Sequence, residues 1–281
     1  MESQDARVTI AALQQMKRDG RKIVGVVVWD YQMAQIVDRV GVDIVSVGDS
    51  VGVNLWGRTN PLEVTLSEML VVCQAVRRGV ERALLSCDFP FGPLQEGTDG
   101  ALRAATLLAK DGGADMVKLD GAADFPETVR AIVREGIPVF AQFGISPQTA
   151  AQRNGAAYGV SSDGSVQVPA TMTTKWVDEA RRLEDAGASL LDFTNSGPVA
   201  GAAVAAAVSI PVLGGTGGGP WLDGRIRMAH GAIGYAASNL DSHAENYANV
   251  ARVAFDAISA YAEDVRIARQ IKGAAAPKIA K

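Results

Sequence analysis

Acidic side chains follow three short apolar runs in this sequence, at the point where each run ends. Asp49 follows GVDIVSVG, Asp88 follows RALLSC and Asp120 follows GADMVKL. Short apolar runs bounded by turn residues are typical of buried parallel strands. Because the carboxyl ends of the strands meet at one rim of a parallel barrel, we expect the three carboxylates to gather there. Such an oxygen-rich set suits a hard divalent cation such as Mg²⁺, so the sequence predicts metal ligands at these three positions.

Two further polar residues accompany these acids. Lys118 lies two residues before Asp120 and therefore shares its face of the strand, and Ser50 follows Asp49. The alternatives are a helix N-cap or turn for the Asp and Ser residues, and a buried Lys–Asp pair. Independent turns would not concentrate the acids on one rim. A metal there could chelate a small 2-oxo acid, and Lys118 would add positive charge where an enolate oxygen develops.

Predicted strands alternate with helices along the whole chain, which indicates a parallel sheet with helices outside. The predicted strands are Val24–Trp29, Asp43–Val47, Arg82–Cys87, Asp115–Leu119, Ile137–Gln142, Leu190–Thr194 and Pro211–Gly214, with an eighth unit around Arg227–Ile233. With this number of units we expect a closed (β/α)8 TIM barrel in the α/β class. An extra C-terminal helix is predicted from about Ser242 to Arg269. We expect one domain over residues 1–270 and a disordered tail over 271–281.

Two segments rich in glycine interrupt this alternation. The irregular stretch from Phe143 to Ala170 is long for a loop inside a compact domain and predicts a lid over the site. The run Gly214–Gly219, GGTGGG, could cradle an anion with its backbone amides, and a plain flexible loop is an equal alternative.

Composition excludes several classes of function. The chain has 281 residues, 48% of them hydrophobic, and a formal net charge of −4, so it offers no basic face for nucleic acid or for a membrane surface. Its apolar runs are too short to span a membrane, and its first residues do not form a secretory signal, which predicts a cytoplasmic protein. With two cysteines and two histidines, any metal must be held mainly by carboxylates.

Several motifs together resemble the ketopantoate hydroxymethyltransferase family of the phosphoenolpyruvate mutase and isocitrate lyase superfamily. They occur in the order in which the family has them and are WDYQMAQIVDRVGVDIVSVGDSVG, PLEVTLSEML, AVRRGVERALLSCDFPFG, GADMVKLDG, IPVFAQFGISPQ and SIPVLGGTGGGPWLDGRI. The resemblance implies Mg²⁺ at Asp49 and Asp88, with Asp120 as the outer acid. It also implies that Ser50, Asp88 and Lys118 contact a 2-oxo acid, and that 5,10-methylenetetrahydrofolate delivers a hydroxymethyl group to 3-methyl-2-oxobutanoate. Family members are homo-oligomers, commonly decamers.

The sequence departs from the family pattern at three places. The family's glutamate base at the end of strand six corresponds to Thr194, and its histidine in strand five corresponds to Gln142. Asp120 stands for the usual glutamate. Asp192 lies two residues before Thr194 on the same face and is the candidate that could replace the missing base.

These departures leave three functions open. The first is a Mg²⁺-dependent enzyme that forms a C–C bond on a small 2-oxo acid, as the hydroxymethyltransferases of pantothenate biosynthesis do. The second is a lyase or hydrolase that cleaves a C–C or P–C bond in a 2-oxo or 2-hydroxy acid, for which proton placement would differ. The third is a paralogue that binds the metal and the oxo acid without catalysis.

Overall fold

The computed structural model describes residues 6–146, 148, 168–242, 245–269 and 271–273. The chain divides into two compact units, residues 1–228 and residues 229–281. Most of the predicted lid segment, residues 147 and 149–167, lies outside the described residues, as does most of the predicted disordered tail. The expectation of a single domain over 1–270 stays a prediction.

The first unit is a closed barrel of eight parallel strands, as the sequence predicts. Each strand pairs with its neighbour in the chain, and β1 pairs with β8 to close the sheet. The strands are β1 (Ile23–Val27), β2 (Ile44–Val47), β3 (Leu84–Asp88), β4 (Met116–Leu119), β5 (Val139–Gly144), β6 (Leu190–Thr194), β7 (Val212–Gly214) and β8 (Gly224–Met228).

Helices connect the strands, and their ends follow familiar sequence signals. Thr65 and Glu68 form a complete capping box at the start of the fourth helix, and Gly41 ends the second in a left-handed conformation. The helices that the structure describes in this unit are α1 (Ile10–Arg18), α2 (Tyr31–Val40), α3 (Val51–Asn54), α4 (Leu66–Arg77), α5 (Thr98–Lys110), α6 (Pro126–Arg134), α7 (Thr173–Asp185) and α8 (Pro198–Ala207).

β6 has its predicted bounds, whereas the other seven strands differ from theirs by one or more residues, and β5 and β8 differ most. β5 continues to Gly144, whose φ of +96° and close approach to the Thr194 carbonyl exclude a side chain. β8 begins at Gly224, earlier than the predicted eighth unit. The prediction is too late because the outward residues Arg225 and Arg227 are exposed and interrupt the apolar run. Only its inward positions are apolar, so the strand lacks the continuous hydrophobic signal of its neighbours.

The barrel interior consists of an apolar layer below a polar one. One apolar side chain from each strand fills the lower layer, and Leu13 and Met16 of α1 pack against it: Ile23, Ile44, Leu84, Met116, Phe140, Leu190, Leu213 and Ile226. Because side chains alternate along a strand, the residues two positions further on also face inward. On five strands these residues are polar and buried: Ser46, Ser86, Lys118, Gln142 and Asp192. The strand-end acids Asp88 and Asp120 follow after two more residues.

The second unit contains the predicted C-terminal helix, although it is shorter than expected. It comprises α9 (Ala229–Ile233), a 3-10 turn (Ala237–Leu240) and α10 (Val250–Arg266). The predicted start near Ser242 was wrong because the Asn249 side chain accepts a hydrogen bond from the Arg252 amide and caps the helix there. No helix among the described residues is both long and apolar enough to cross a membrane.

Candidate active site

A cavity of about 490 Å³ lies among the strand ends that carry the predicted site residues. Its polar lining includes Asp49, Ser50, Asp88, Lys118, Asp120, Gln142 and Asp192, and its apolar lining includes Val27, Val53, Pro61, Ile226 and Met228. Arg225 and Arg227 of β8, whose side chains are exposed, are also among the residues that line it. Of the residues singled out from the sequence, only Thr194 does not line the cavity.

Lys118 sits between two carboxylates at the centre of this set. Its Nζ lies 3.2 Å from Asp192 Oδ2 and 3.5 Å from Asp88 Oδ2. The stagger of the barrel brings Asp88 there, because β3 and β4 pair with Asp88 directly opposite Lys118. Lys118 Nζ also lies 5.7 Å from the centroid of the Phe140 ring, so the ammonium is held from below as well.

The charges around Lys118 keep it protonated. Burial by itself lowers the pKa of this lysine, but the negative charges of Asp88, Asp192, Asp120 and Asp49 together outweigh that effect and hold the pKa above its usual value. Lys118 is therefore a fixed positive charge in the cavity and not a proton acceptor.

Asp49 and Asp120 are held by the loop that follows β5. The side-chain Nε2 of Gln148 donates to Asp49 Oδ2 at 2.7 Å, and the backbone N–H of Gln148 donates to Asp120 Oδ2 at 3.1 Å. Ser146 Oγ donates to the other oxygen of Asp120. Sequence reasoning missed Ser146 and Gln148 as site residues, although both lie in the segment ISPQ that carries the family resemblance.

Ser50 is available to the cavity because it does not serve the helix behind it. It occupies the N-cap position of α3, yet its side chain makes no capping hydrogen bond. The N-cap alternative considered for this residue is therefore wrong. The preceding Gly48 is required, since a Cβ there would lie 2.8 Å from Ser50 Oγ and 2.9 Å from Val27 Cγ1.

The two departures from the family pattern, Gln142 and Thr194, contact each other. Gln142 Nε2 donates to Thr194 Oγ1 at 3.0 Å, which satisfies a threonine that has no exposed surface. Gln142 lines the cavity, whereas Thr194 does not. Asp192 lines it too, and its Oδ1 accepts a hydrogen bond of 3.0 Å from the Gly215 amide. The amide of Gly215, the second residue of the glycine run, thus donates to a protein carboxylate.

Four carboxylates surround one buried lysine, and this excess favours a cation. Asp88 and Asp192 pair with Lys118, but within the described part of the chain Asp49 and Asp120 form no ion pair. Burial raises the pKa of Asp49 and of Asp120 to about 6, and burial raises that of Asp88 to about 7 with the Asp49 charge adding to the effect. The hydrogen bonds from Gln148 and Ser146 oppose these shifts.

The donor set fits Mg²⁺ held mostly by water. Among the residues that the structure describes, no three His, Cys, Asp or Glu side chains converge closely enough to form a complete metal cage. Mg²⁺ keeps several waters and commonly uses only one or two carboxylates, so a full cage is not needed. Asp49 and Asp88, or either of them with Asp120, could supply those oxygens.

In the presence of a metal chelator, the free energy of unfolding is expected to fall as the pH rises from about 4 to about 7. The three carboxyl groups have raised pKa values in the folded state and an ordinary value of 3.8 when unfolded, so the folded state binds more protons. Their favourable contribution is complete below pH 4 and is lost through pH 6 to 7. Melting temperatures measured in EDTA across this range test the slope. Asp88→Asn should flatten it, and an unchanged slope in that variant would contradict the assignment.

Solved structures share this fold at low sequence identity. Phosphonopyruvate hydrolase, solved with oxalate and Mg²⁺, superposes with a TM-score of 0.57 and 14% identity over 97% of this chain and 92% of its own. The 2,3-dimethylmalate lyase of the phosphoenolpyruvate mutase and isocitrate lyase superfamily gives a TM-score of 0.56 and 15% identity, over 92% and 87% of the two chains. At this identity the likeness shows the fold alone.

Sequence relatives are closer and share one name. The 3-methyl-2-oxobutanoate hydroxymethyltransferase of Cyanothece sp. is 36% identical over 263 residues, which cover 92% of this chain and 96% of the relative. The enzyme of the same name from Salinibacter ruber is 35% identical over 264 residues, covering 92% and 95%. The sequence model of the family described as ketopantoate hydroxymethyltransferase matches residues 7–269. The resemblance seen in the motifs therefore extends through the barrel, and the chain belongs to the ketopantoate hydroxymethyltransferase family.

Proposed function

We propose that this protein is a divalent-cation-dependent enzyme that transfers a one-carbon unit to a small 2-oxo acid and forms a C–C bond. The observation that carries the proposal is the buried Lys118, clamped between Asp88 and Asp192 on the wall of a cavity with two further carboxylates. Membership of the family supports 3-methyl-2-oxobutanoate as the acceptor. It also supports 5,10-methylenetetrahydrofolate as the donor of the hydroxymethyl group.

Asp49 and Asp88 are the residues that would hold Mg²⁺, with Asp120 as an outer acid. All three line the cavity, and the low-dielectric surroundings that raise their pKa values also strengthen their attraction for a cation. When bound, the ion supplies Lewis-acid polarisation of the 2-oxo group. Ser50, beside Asp49, is placed to bind the carboxylate of the acid.

Lys118 and Gln142 orient and stabilise the reacting acid. Lys118 stays protonated, so it offers positive charge to the oxygen that becomes negative when the C3 proton leaves. Gln142 is tied to Thr194 by its amide nitrogen and lines the cavity beside Asp192, so we assign it a role in binding and not in proton transfer.

We assign proton abstraction from C3 to Asp192 and not to Thr194. The Asp192 carboxylate lines the cavity, and its two oxygens are oriented by Lys118 Nζ and by the Gly215 amide. Thr194 is fully buried, accepts a hydrogen bond from Gln142 and has no carboxylate to take a proton. Removal of the C3 proton leaves an enolate, whose C3 forms the new bond to the one-carbon unit. The two bonds of that carbon to folate nitrogens are replaced by the bond to C3 and by a hydroxyl group from water, which releases tetrahydrofolate.

A second candidate function is cleavage of a C–C bond in a 2-hydroxy or 2-oxo acid. The uncharged Gln142–Thr194 pair favours it, because a proton path through these two positions is missing while Asp192 remains able to accept a proton. The measurable difference is the product: cleavage releases a smaller oxo acid, whereas the first function consumes the one-carbon donor. A cytoplasmic location and a homo-oligomeric state accompany both functions as predictions.

The purified protein with Mg²⁺ is expected to convert 3-methyl-2-oxobutanoate and 5,10-methylenetetrahydrofolate into the hydroxymethylated acid. NMR detection of the product tests this, and EDTA should abolish turnover. Asp49→Asn should be inactive, while Asp99→Asn, an exposed acid in the first turn of α5, should match the wild type. Absence of product with this and related 2-oxo acids, together with release of a smaller oxo acid from 2-hydroxy acids, would favour the second candidate.

A further inference from the structure

One residue, Gln148, connects the ends of the three strands that carry the predicted metal ligands. Its amide nitrogen donates to Asp49 Oδ2 at 2.7 Å, beyond the end of β2, and to the Phe89 carbonyl at 3.1 Å, directly after Asp88 of β3. Its backbone amide donates to Asp120 Oδ2, at the end of β4, at 3.1 Å. Gln148 is 5% exposed, so these contacts are shielded from water.

The chemistry of the neighbours requires a neutral amide at this position. Both partners of the side chain, the Asp49 carboxylate and the Phe89 carbonyl, accept hydrogen bonds, so the nitrogen of the amide must face them. An amide supplies two donor hydrogens without adding charge beside the four carboxylates. A carboxylate there would repel Asp49, and a lysine would neutralise the charge that a cation needs.

Ser146 completes the arrangement from the same loop. Its hydroxyl donates to Asp120 Oδ1, and the backbone N–H of Gln148 donates to Asp120 Oδ2, so both oxygens of Asp120 accept a hydrogen bond. Groups that hydrogen-bond to metal ligands orient them, and their removal typically weakens metal binding by about 10–100-fold.

We propose that Gln148, aided by Ser146, is a positioning residue for the divalent cation: it holds Asp49 and Asp120 in a fixed orientation relative to Asp88. This proposal rests on the proposed function only in taking these acids as the metal-holding set. It concerns affinity for the ion, so it can be tested without turnover.

The experiment is a titration of the full-length wild type and of Gln148→Met with Mn²⁺, followed by electron paramagnetic resonance. Methionine keeps the length of the side chain and removes both donor hydrogens. We expect the Kd for Mn²⁺ to be about 10–100-fold higher in Gln148→Met than in the wild type. Addition of Mn²⁺ should therefore raise the melting temperature of the variant less than that of the wild type. The melting temperature in EDTA should fall as well, because two buried acceptors lose their donor, so the Kd and the size of the Mn²⁺-induced rise, and not the value in EDTA, report the positioning of the ligands.

Two further variants keep the test decisive. Gln74→Met on α4 makes the same substitution at a glutamine that does not line the cavity, where it removes a single exposed hydrogen bond to the Asp111 carbonyl at 3.0 Å, and it should leave the Kd unchanged. Ser146→Ala removes one donor to Asp120 and should raise the Kd by less than Gln148→Met does. If Gln148→Met does not fold, the Mn²⁺ titration of Ser146→Ala tests whether this loop positions the acids.

Each outcome has one meaning. A Kd in Gln148→Met within threefold of the wild type, or a wild type that binds no Mn²⁺, would overturn the positioning role. An unchanged Kd in Ser146→Ala would overturn the part assigned to Ser146, and where Gln148→Met does not fold it would overturn the proposal. Weaker Mn²⁺ binding in Gln148→Met with an unaltered Gln74→Met supports it. A wild type that binds Mn²⁺ tightly but never turns over a 2-oxo acid would reject the proposed reaction and leave the role of Gln148 intact.

Discussion

Replacing Asp192 with asparagine is expected to lower kcat by about 10²–10⁴-fold, the usual loss when a positioned general base is removed. Asparagine keeps the size of the side chain, but its single amide oxygen can accept a hydrogen bond from the Gly215 amide or from Lys118 and not from both, because these donors face different oxygens of Asp192. What it loses is the ability to take the C3 proton. KM for the oxo acid should change much less than kcat, because the cavity keeps its shape.

Hydrogen–deuterium exchange at C3 of 3-methyl-2-oxobutanoate provides the sharpest measurement. The exchange reports proton removal alone, so it needs no one-carbon donor and separates the base from the later bond-forming step. Thr194→Val is the matched control: it removes the contact with Gln142 but leaves Asp192 in place, and the exchange rate should stay within about tenfold of the wild type. If Thr194→Val lost exchange while Asp192→Asn kept it, the assignment of the base would be reversed.

Replacing Lys118 with methionine is expected to destabilise the protein by about 3–5 kcal/mol near neutral pH, as when one partner of a buried ion pair is removed. Lys118 is 7% exposed and is the ion-pair partner of both Asp88 and Asp192. Without it, a charged carboxylate in this low-dielectric cavity has no counter-charge, and Asp88, whose pKa Lys118 lowers, takes up a proton more readily. Activity should also fall by about 10²–10³-fold in any folded fraction, since the charge that meets the developing oxyanion is gone.

The pH dependence of this loss identifies its cause. Burial and neighbouring charges already raise the pKa of Asp88 to about 7, so lowering the pH to 5 neutralises a carboxylate that the lysine no longer balances. Urea unfolding at pH 5 and pH 8 should therefore show a smaller penalty at pH 5. Lys110→Met, an exposed lysine at the end of α5, should show no penalty at either pH. An equal penalty for Lys118→Met at both pH values would indicate lost packing instead of unbalanced charge.

Most of the barrel follows from local sequence patterns. β6 has its predicted bounds, because a continuous apolar run is a signal carried by adjacent residues. β8 was placed too late because two outward arginines interrupt its apolar pattern, and the layer that fills the barrel uses only one residue per strand. Where the hydrophobic signal is carried by alternate residues, neighbouring polar side chains mask it.

The strand-end acids were predictable for a related reason. Parallel strands present their carboxyl ends at one rim, so the position of Asp49, Asp88 and Asp120 after their strands was enough to bring them to one cavity. The role of Ser50 was less certain from the sequence, because the same residue type favours an N-cap. Only the conformation of the turn showed that its hydroxyl does not cap α3.

The sequence by itself thus determined the barrel, the side on which its polar groups gather and the family to which the chain belongs, because each depends on periodicity and residue order. The tertiary structure decided which groups meet across strands. The stagger between β3 and β4 places Asp88 opposite Lys118, and the Gly215 amide turns Asp192 toward that lysine while Thr194 is held away from the cavity. Gln148, 99 residues from Asp49 in the chain, reaches it only once the barrel has closed. Such contacts depend on the relative shift of distant strands, which local sequence patterns do not encode.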